Sequence, residues 1–485
     1  MLEHRFESAR QAIPMRAPEP DGAYRDPLAD PLIDPLATLT SLAERESNAR
    51  TYARTIDRVL TRGELAVVHD SEGRRYLDCL ACAGALPLGH NHPYVMDRVN
   101  RFLASGHILQ GLDIATPAKA AFVDELYRVL PPAFAANAKV QFCGPSGADA
   151  VEAVIKLFKT ATGRRSVLAF HGAYHGMTMG AMSLMGNAAP KQAVSGHMAE
   201  VFFLPYPNAY RCPFGVGGDA SDMLSLSYID HLLADPESGI TKPALIILEA
   251  VQGEGGCIPA SAAWLKGLAA LAERHAIPLV IDEVQTGFGR TGTMFAHEHA
   301  GIVPDAIVMS KAVGGGFPLA LIAYHKQYDT WNPGAHAGTF RGNQIALVSG
   351  AATLRYLREH DLPAAAARLG AKLRAGLEAL QQRFACIGDV RGRGLMLGVE
   401  IVDPTGPRDA RGLPPADGAL AKRIKRECLQ QGMIIETGGR HGAVLRMLPP
   451  LVITDAQIEE ILTRLNLALA VSVGEDVHAN GTEAP

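Results

Sequence analysis

IPLVIDEVQTGFGRTG (277–292), followed by DAIVMSKAVGGGFPLALIAY (305–324), decides the fold. Each stretch opens with a short, near-continuous apolar run and then breaks into polar residues and glycines. Such a run suits a strand buried on both faces, as in a parallel sheet. Working outward, the pattern recurs in SVLAF (166–170), EVFFL (200–204) and ALIIL (244–248). Helical patterns lie between the runs. In ADAVEAVIKLFKTAT (148–162), Val151, Val154, Ile155 and Phe158 share one face. Strands alternating with helices predict an α/β domain with a mostly parallel sheet. Ligands of such sheets bind beyond the carboxyl ends of the strands. Asp282 follows IPLVI, and Ser310 and Lys311 follow DAIVM. VQFC (140–143) runs into GPSGADA (144–150) and a helix.

Taken singly, each of these features has an ordinary structural reading. An Asp at a strand end serves as a helix N-cap, a loop lysine is solvated, and GPSGADA is a tight turn. Together they say more. A glycine-rich loop at a helix start cradles an anion with backbone N–H groups. A partly desolvated lysine can stay neutral and join covalently to an aldehyde. A nearby carboxylate can keep a pyridine nitrogen protonated. Phosphate, aldehyde and pyridinium together describe pyridoxal phosphate.

The rest of the chain narrows the class. The sequence has 485 residues, enough for two or three domains at roughly 100–200 residues each. Hydrophobic residues make up 48% and charged residues 20%, which excludes global disorder. The net charge of −4 argues against a nucleic-acid partner. No apolar run approaches the ~18 residues of a membrane span, so no membrane partner is expected. MLEHRFESAR at the start lacks the apolar centre of a signal sequence. The seven scattered cysteines suit reduced thiols, and a cytoplasmic location is expected. No metal site is expected either: Cys79 and Cys82 have no second CxxC, and His90 and His92 in GHNHP read as structural. Asp-Pro-Leu repeats mark residues 1–40 as an extended or disordered segment. The expected division is 41–100 as the first part of a smaller α+β domain and 101–344 as the large cofactor domain. Residues 345–472 complete the smaller domain, and 473–485 form a frayed tail. Residues 64–80 read as a hairpin turning at Glu72-Gly73.

Eight motifs carry a resemblance to a known family. They are GHNHP (89–93), GPSGADAVEAVIK (144–156), FHGAYHGMT (170–178), LEAVQGEGG (248–256), IDEVQTGFGRTG (281–292), SKAVGGGFP (310–318), GTFRGN (338–343) and LRMLPPLVIT (445–454). From about 48 to 472 the sequence resembles the class III (ω-type) aminotransferases, pyridoxal-phosphate enzymes of fold type I. GLDIATPAK (111–119) and PYPNAYRCPFG (205–215) narrow the likeness further. They resemble the members that exchange the 4-amino group of 2,4-diaminobutyrate with 2-oxoglutarate. The resemblance implies pyridoxal 5'-phosphate, a small-molecule amino donor, a 2-oxo acid acceptor, and a homodimer with shared active sites.

It also implies roles. Lys311 matches the lysine that joins the cofactor and moves a proton at the substrate carbon. Asp282 matches the pyridinium partner. Gln285 lies near the cofactor's phenolic oxygen, and Val284 is the apolar group behind the ring. Ser146, Gly147 and Ala148 form the phosphate cradle, and Tyr174 stacks on the ring. His175 is placed with the cofactor-binding residues. Thr339 matches a phosphate contact supplied across the dimer. Arg446 matches the arginine that grips the carboxylate beside the reacting carbon, and Glu254 the glutamate that pairs with it and swings aside.

One position departs from the pattern. Some relatives acting on ω-amines carry an arginine for the distal carboxylate of 2-oxoglutarate where this chain has Met177, so here another group holds that carboxylate or the acceptor differs. Other class III activities therefore stay open: an ornithine, 4-aminobutyrate or other ω-amine aminotransferase, or an aminomutase. RGRGLMLG (391–398) lacks dinucleotide-loop spacing, and the apolar stripe over 454–472 reads as core packing.

Overall fold

A computed structural model of the chain describes residues 34–474. The chain divides into two compact units, Met1–Val59 and Leu60–Pro485. In the first, the described residues hold a helix, Pro35–Arg45. This corrects the expectation of an extended segment over its last residues; residues 1–33 lie outside the described ones. The reason is local. Pro35 occupies the first helical turn, where its missing N–H is no loss. Asp34 caps the helix by accepting from Leu36 N at 2.9 Å and Ala37 N at 3.1 Å. Nearly all of the tail expected over 473–485 also lies outside the described residues.

The second unit is built on a seven-stranded sheet. Its spatial order is Ala138–Phe142, Leu321–His325, Ala306–Met309, Leu279–Asp282, Leu245–Leu248, Val167–Phe170, Val201–Leu204. The strands are those marked by the apolar runs, and all but Leu321–His325 run parallel. The reversed strand joins Ala138–Phe142 to Ala306–Met309 and pairs antiparallel with both. Its start therefore lies at the sheet edge where the parallel strands end. Asp282 pairs with Val308, which sets Ser310 and Lys311 just beyond a neighbouring strand end. Cys143 N donates to Ala320 O at 2.9 Å and seats GPSG at the same edge.

Helices cover both faces of the sheet. On one face, Gly147–Thr162 starts at Ser146, whose Oγ accepts from Asp149 N at 3.2 Å. It stops at Gly163, a left-handed residue (φ 66°) with no side chain to clash. Val151, Val154, Ile155 and Phe158 form its buried face, and Phe158 is fully buried. Truncating such a phenylalanine to alanine costs about 3–5 kcal/mol. On the other face Ala262–Arg274 buries Trp264 against Phe170 and Tyr206.

Besides a two-stranded sheet, Val251–Gln252 with Ile258–Pro259, there are two four-stranded sheets. Val67–Asp70 and Arg75–Asp78 form the hairpin, with Gly73 (φ 78°) in its turn. Leu60–Glu64 extends it on one side, and Met433–Ile434 adds a parallel strand on the other. Ile387–Arg393, Met396–Ile401, Val444–Met447 and Glu436–Gly438 make an antiparallel sheet. Among the described residues no helix is long and apolar enough to cross a membrane.

Candidate active site

Asp282 ends its strand almost fully buried. Its Oδ2 lies 2.7 Å from Nδ1 of His175, and its Oδ1 accepts from Val284 N at 3.0 Å. His175 is buried as well. Burial alone would lower its pKa, but the hydrogen bond and charge of Asp282, with the charge of Glu249, raise it above the usual histidine range. The imidazole thus orients the carboxylate.

Beside Asp282 lies the cradle. A Cβ added at Gly147 would sit 3.0 Å from Val284 Cγ1 and 3.6 Å from Ser310 Cβ. One at Gly176, where φ is 122°, would sit 2.5 Å from Ala148 Cβ. The glycines let the backbone of Ser146-Gly147-Ala148 pack directly against the residues after Asp282 and before Lys311. A first helical turn leaves N–H groups without partners inside the helix, which makes this start suited to an anion. Asp149 stiffens the loop by accepting from Gly144 N at 2.6 Å and from Nε2 of His336 at 2.9 Å.

Lys311 has a left-handed backbone (φ 50°), unusual for a residue with a Cβ. Burial pushes its pKa below the usual lysine range, against the charges of Glu254 and Asp282, while Arg446 adds to the lowering. A larger share of neutral amine is available near neutrality. Asp282 and Lys311 thus lie within electrostatic reach of each other, with the cradle packed against the residues beside both.

Arg446 lies on the strand Val444–Met447 and is almost wholly buried. Its NH1 lies 2.8 Å from Glu254 Oε1 and its NH2 2.9 Å from Oε2, a two-pronged ion pair. Glu254 is 35% exposed and so has room to turn outward.

A strained turn forms another wall. Ala81, Cys82 and Ala83 have φ of 47°, 50° and 56°, and Gly84 follows at 90°. Each left-handed residue with a Cβ costs roughly 1–2 kcal/mol. Asp78 holds the turn by accepting from Leu80 N and Ala81 N, both at 2.9 Å. Gln285 Nε2 donates to Ala83 O at 3.0 Å, which ties the turn to the cradle side.

Tyr174 lies in electrostatic reach of Glu254 and Glu249, and burial raises its pKa. Met177 is exposed and offers no charge for a distal carboxylate. Of the expected site residues, Ser146 and Thr339 are the ones left exposed. The short turn Thr339–Gly342 follows Gly338, which packs beside Gly144. His90 contacts Asp78 at 2.9 Å and His92 packs on Tyr356, so the two histidines serve separate structural roles.

Sequence patterns did not single out Glu249. It directly follows ALIIL, so the strand-end rule that finds Asp282 would have found it. Its oxygens accept from Tyr174 N at 3.0 Å and Gly253 N at 2.9 Å. Burial pushes its pKa up to about 7; the His175 charge opposes that rise, and Asp282 adds to it.

A buried carboxylate oriented by imidazole, a glycine-lined cradle at a helix start and a lysine of depressed pKa suit a phosphorylated pyridine aldehyde. The donor set therefore fits pyridoxal phosphate.

Comparisons with known proteins agree. The family model described as "Aminotransferase class-III" matches residues 48–469. A relative from Rhizobium meliloti (strain 1021), "Diaminobutyrate--2-oxoglutarate aminotransferase", is 52% identical over 86% of this chain and 89% of its own length. One of the same name from Haemophilus influenzae is 47% identical over 86% and 92%. Among solved structures, a PLP-bound amine transaminase from an uncultivated Pseudomonas species is 28% identical. It matches with a TM-score of 0.78 over 88% of this chain and 98% of its own. An (S)-enantioselective omega-transaminase from Thermomicrobium roseum is 26% identical, with a TM-score of 0.80 over 90% and 99%.

Proposed function

Because this chain belongs to the class III aminotransferases, we propose that it moves the 4-amino group between L-2,4-diaminobutyrate and 2-oxoglutarate. The products are aspartate 4-semialdehyde and glutamate, and the reverse direction uses the same site. The protein is a pyridoxal-phosphate-dependent aminotransferase of fold type I. When bound, the cofactor supplies an aldehyde for the amine and a ring that withdraws electrons from the substrate carbon. Lys311 supplies the covalent amine and moves the proton at that carbon. Asp282, oriented by His175, holds the ring nitrogen's proton. Ser146, Gly147 and Ala148 hold the phosphate. Tyr174 and Val284 would hold the ring, and Gln285 would lie near its phenolic oxygen. The domain bounds 41–100, 101–344 and 345–472 belong to the same proposal.

The observation that carries this reading is the Glu254–Arg446 pair. The two substrates differ in what lies beside the reacting carbon. Glutamate and 2-oxoglutarate carry a carboxylate there, whereas diaminobutyrate has only hydrogens. A buried arginine suits the first, and an arginine neutralised by Glu254 suits the second. The test is a panel of diaminobutyrate, ornithine, lysine and 4-aminobutyrate, each with 2-oxoglutarate and with pyruvate. Diaminobutyrate with 2-oxoglutarate should give the highest kcat/KM. A preference for another amine would assign another class III activity, and no glutamate from 2-oxoglutarate would leave an aminomutase.

If Glu254 is a gate, Glu254→Ala impairs the diaminobutyrate half-reaction more than the glutamate half-reaction. We expect a gap of roughly tenfold, or about 1.4 kcal/mol. That is below the 3–5 kcal/mol or so of a fully buried pair, because Glu254 is partly solvated. Single-turnover measurements of each half-reaction check this; equal losses would make the pair a permanent structural bridge.

The protein is further proposed to work as a homodimer in which Thr339 reaches the phosphate of a second copy. Exposed Ile108, Leu109, Leu112, Ile114 and Phe340 are apolar surface suited to burial between copies. Sedimentation under the panel's conditions should show no active monomer. All seven cysteines are free, which supports the proposed cytoplasmic location.

A further inference from the structure

We propose that Glu249 is a positioning residue whose carboxylate spans two loops, holding the loop of Tyr174 and His175 in register with the loop of Glu254. The proposal rests on the function proposed above.

Glu249 directly follows the strand Leu245–Leu248 and is 6% exposed. Its Oε1 accepts from Tyr174 N at 3.0 Å, and its Oε2 from Gly253 N at 2.9 Å. Tyr174 adjoins His175, which orients Asp282. Gly253 adjoins Glu254, which pairs with Arg446. One side chain is therefore bonded next to both the ring-binding and the gating residues. Its own backbone is held from below, where Tyr206 OH donates to the carbonyls of Glu249 at 2.9 Å and Ala250 at 3.1 Å.

The gate loop has little freedom elsewhere. A Cβ at Gly253 would meet Gln285 Oε1 at 1.8 Å, and one at Gly255 would meet Gly172 O at 2.7 Å. Gly439 N donates to Glu254 O at 2.9 Å. With the main chain held this way, a swing of Glu254 is confined to its side chain. Glu249 supplies the part of that restraint that reaches the loop of Tyr174.

The chemistry of the position calls for a carboxylate. Both neighbours are N–H donors, and only a carboxyl group offers two acceptor oxygens at that spacing. Glutamine keeps the length but turns an NH2 group toward one N–H. Aspartate keeps the charge and both oxygens but lacks a methylene, so it cannot reach both loops.

The experiment compares Glu249→Gln and Glu249→Asp with the wild-type holoenzyme. The readouts are visible circular dichroism per mole of bound cofactor, which reports the asymmetry around the ring, and single-turnover rates of both half-reactions. We expect the circular dichroism band to fall at least about twofold and both rates about tenfold in each variant, the size that a small misplacement of bound groups produces. Unchanged dichroism per bound cofactor would overturn the proposal, since a merely structural role lowers only the loaded fraction. So would an aspartate variant that behaves like wild type while the glutamine variant fails, because that pattern assigns Glu249 a role through charge alone. The proposed function fails separately, if the wild-type enzyme does not use diaminobutyrate in the substrate panel.

Discussion

Lys311→Ala is expected to abolish turnover, by about 10⁴-fold or more, while the protein still folds and binds cofactor. General acid–base catalysis alone contributes about 10²–10⁴-fold, and here the same amine also supplies the covalent link. The fold should survive. Lys311 lies at a strand end, and its left-handed backbone is no harder for alanine to adopt. Cofactor binding should survive because the cradle residues and Asp282 lie on other elements. Two measurements check this. Far-ultraviolet circular dichroism should match wild type, and the cofactor should stay bound with the absorbance of a free aldehyde. A small exogenous amine should restore part of the rate. Turnover within tenfold of wild type would remove Lys311 from its role.

Asp282→Asn is expected to lower kcat by about 10²–10³-fold, the usual loss when a preorganised electrostatic partner is removed. A neutral amide fits the space but cannot hold a ring proton. The variant has a second signature away from the cofactor. His175 owes its raised pKa to Asp282 and, in part, to Glu249, with burial acting the other way. Without Asp282 its titration should move to lower pH, which NMR of the imidazole would follow. The sign for stability is set by the same shift. A raised histidine pKa adds stability below the unfolded-state value and loses it as pH rises through the folded value. The variant should lack that component on the acid side.

The strands were legible because their runs are apolar on both faces, and SVLAF, ALIIL and DAIVM each became a buried strand. The direction of Leu321–His325 was not, since a strand buried on both faces reads alike either way. The helix at Pro35 was missed because proline was read as a breaker instead of a first-turn residue. The left-handed turn at Ala81–Gly84 had no signal in its first three residues, where glycine or asparagine would mark such a backbone. It is imposed by Asp78 and Gln285, residues far apart in sequence. In the site, long motifs made Asp282, Lys311 and the cradle easy to find. Glu249 was passed over although it follows ALIIL as Asp282 follows IPLVI, because the strand-end rule marks the position without telling a loop-spanning carboxylate from a cap.

The parallel pairing of Met433–Ile434 with Arg75–Asp78 also bears on biosynthesis. Asp78, which holds the turn beside the pocket, sits at the end of that strand. Its partner strand emerges from the ribosome some 350 residues later, roughly 20–70 s at about 5–20 residues per second. Until then one edge of the hairpin has no partner and is open to wrong pairing. The pocket wall is therefore completed only near the end of translation. A nascent chain stalled before residue 433 would carry Lys311 and Asp282 yet lack the strand that closes the hairpin's sheet.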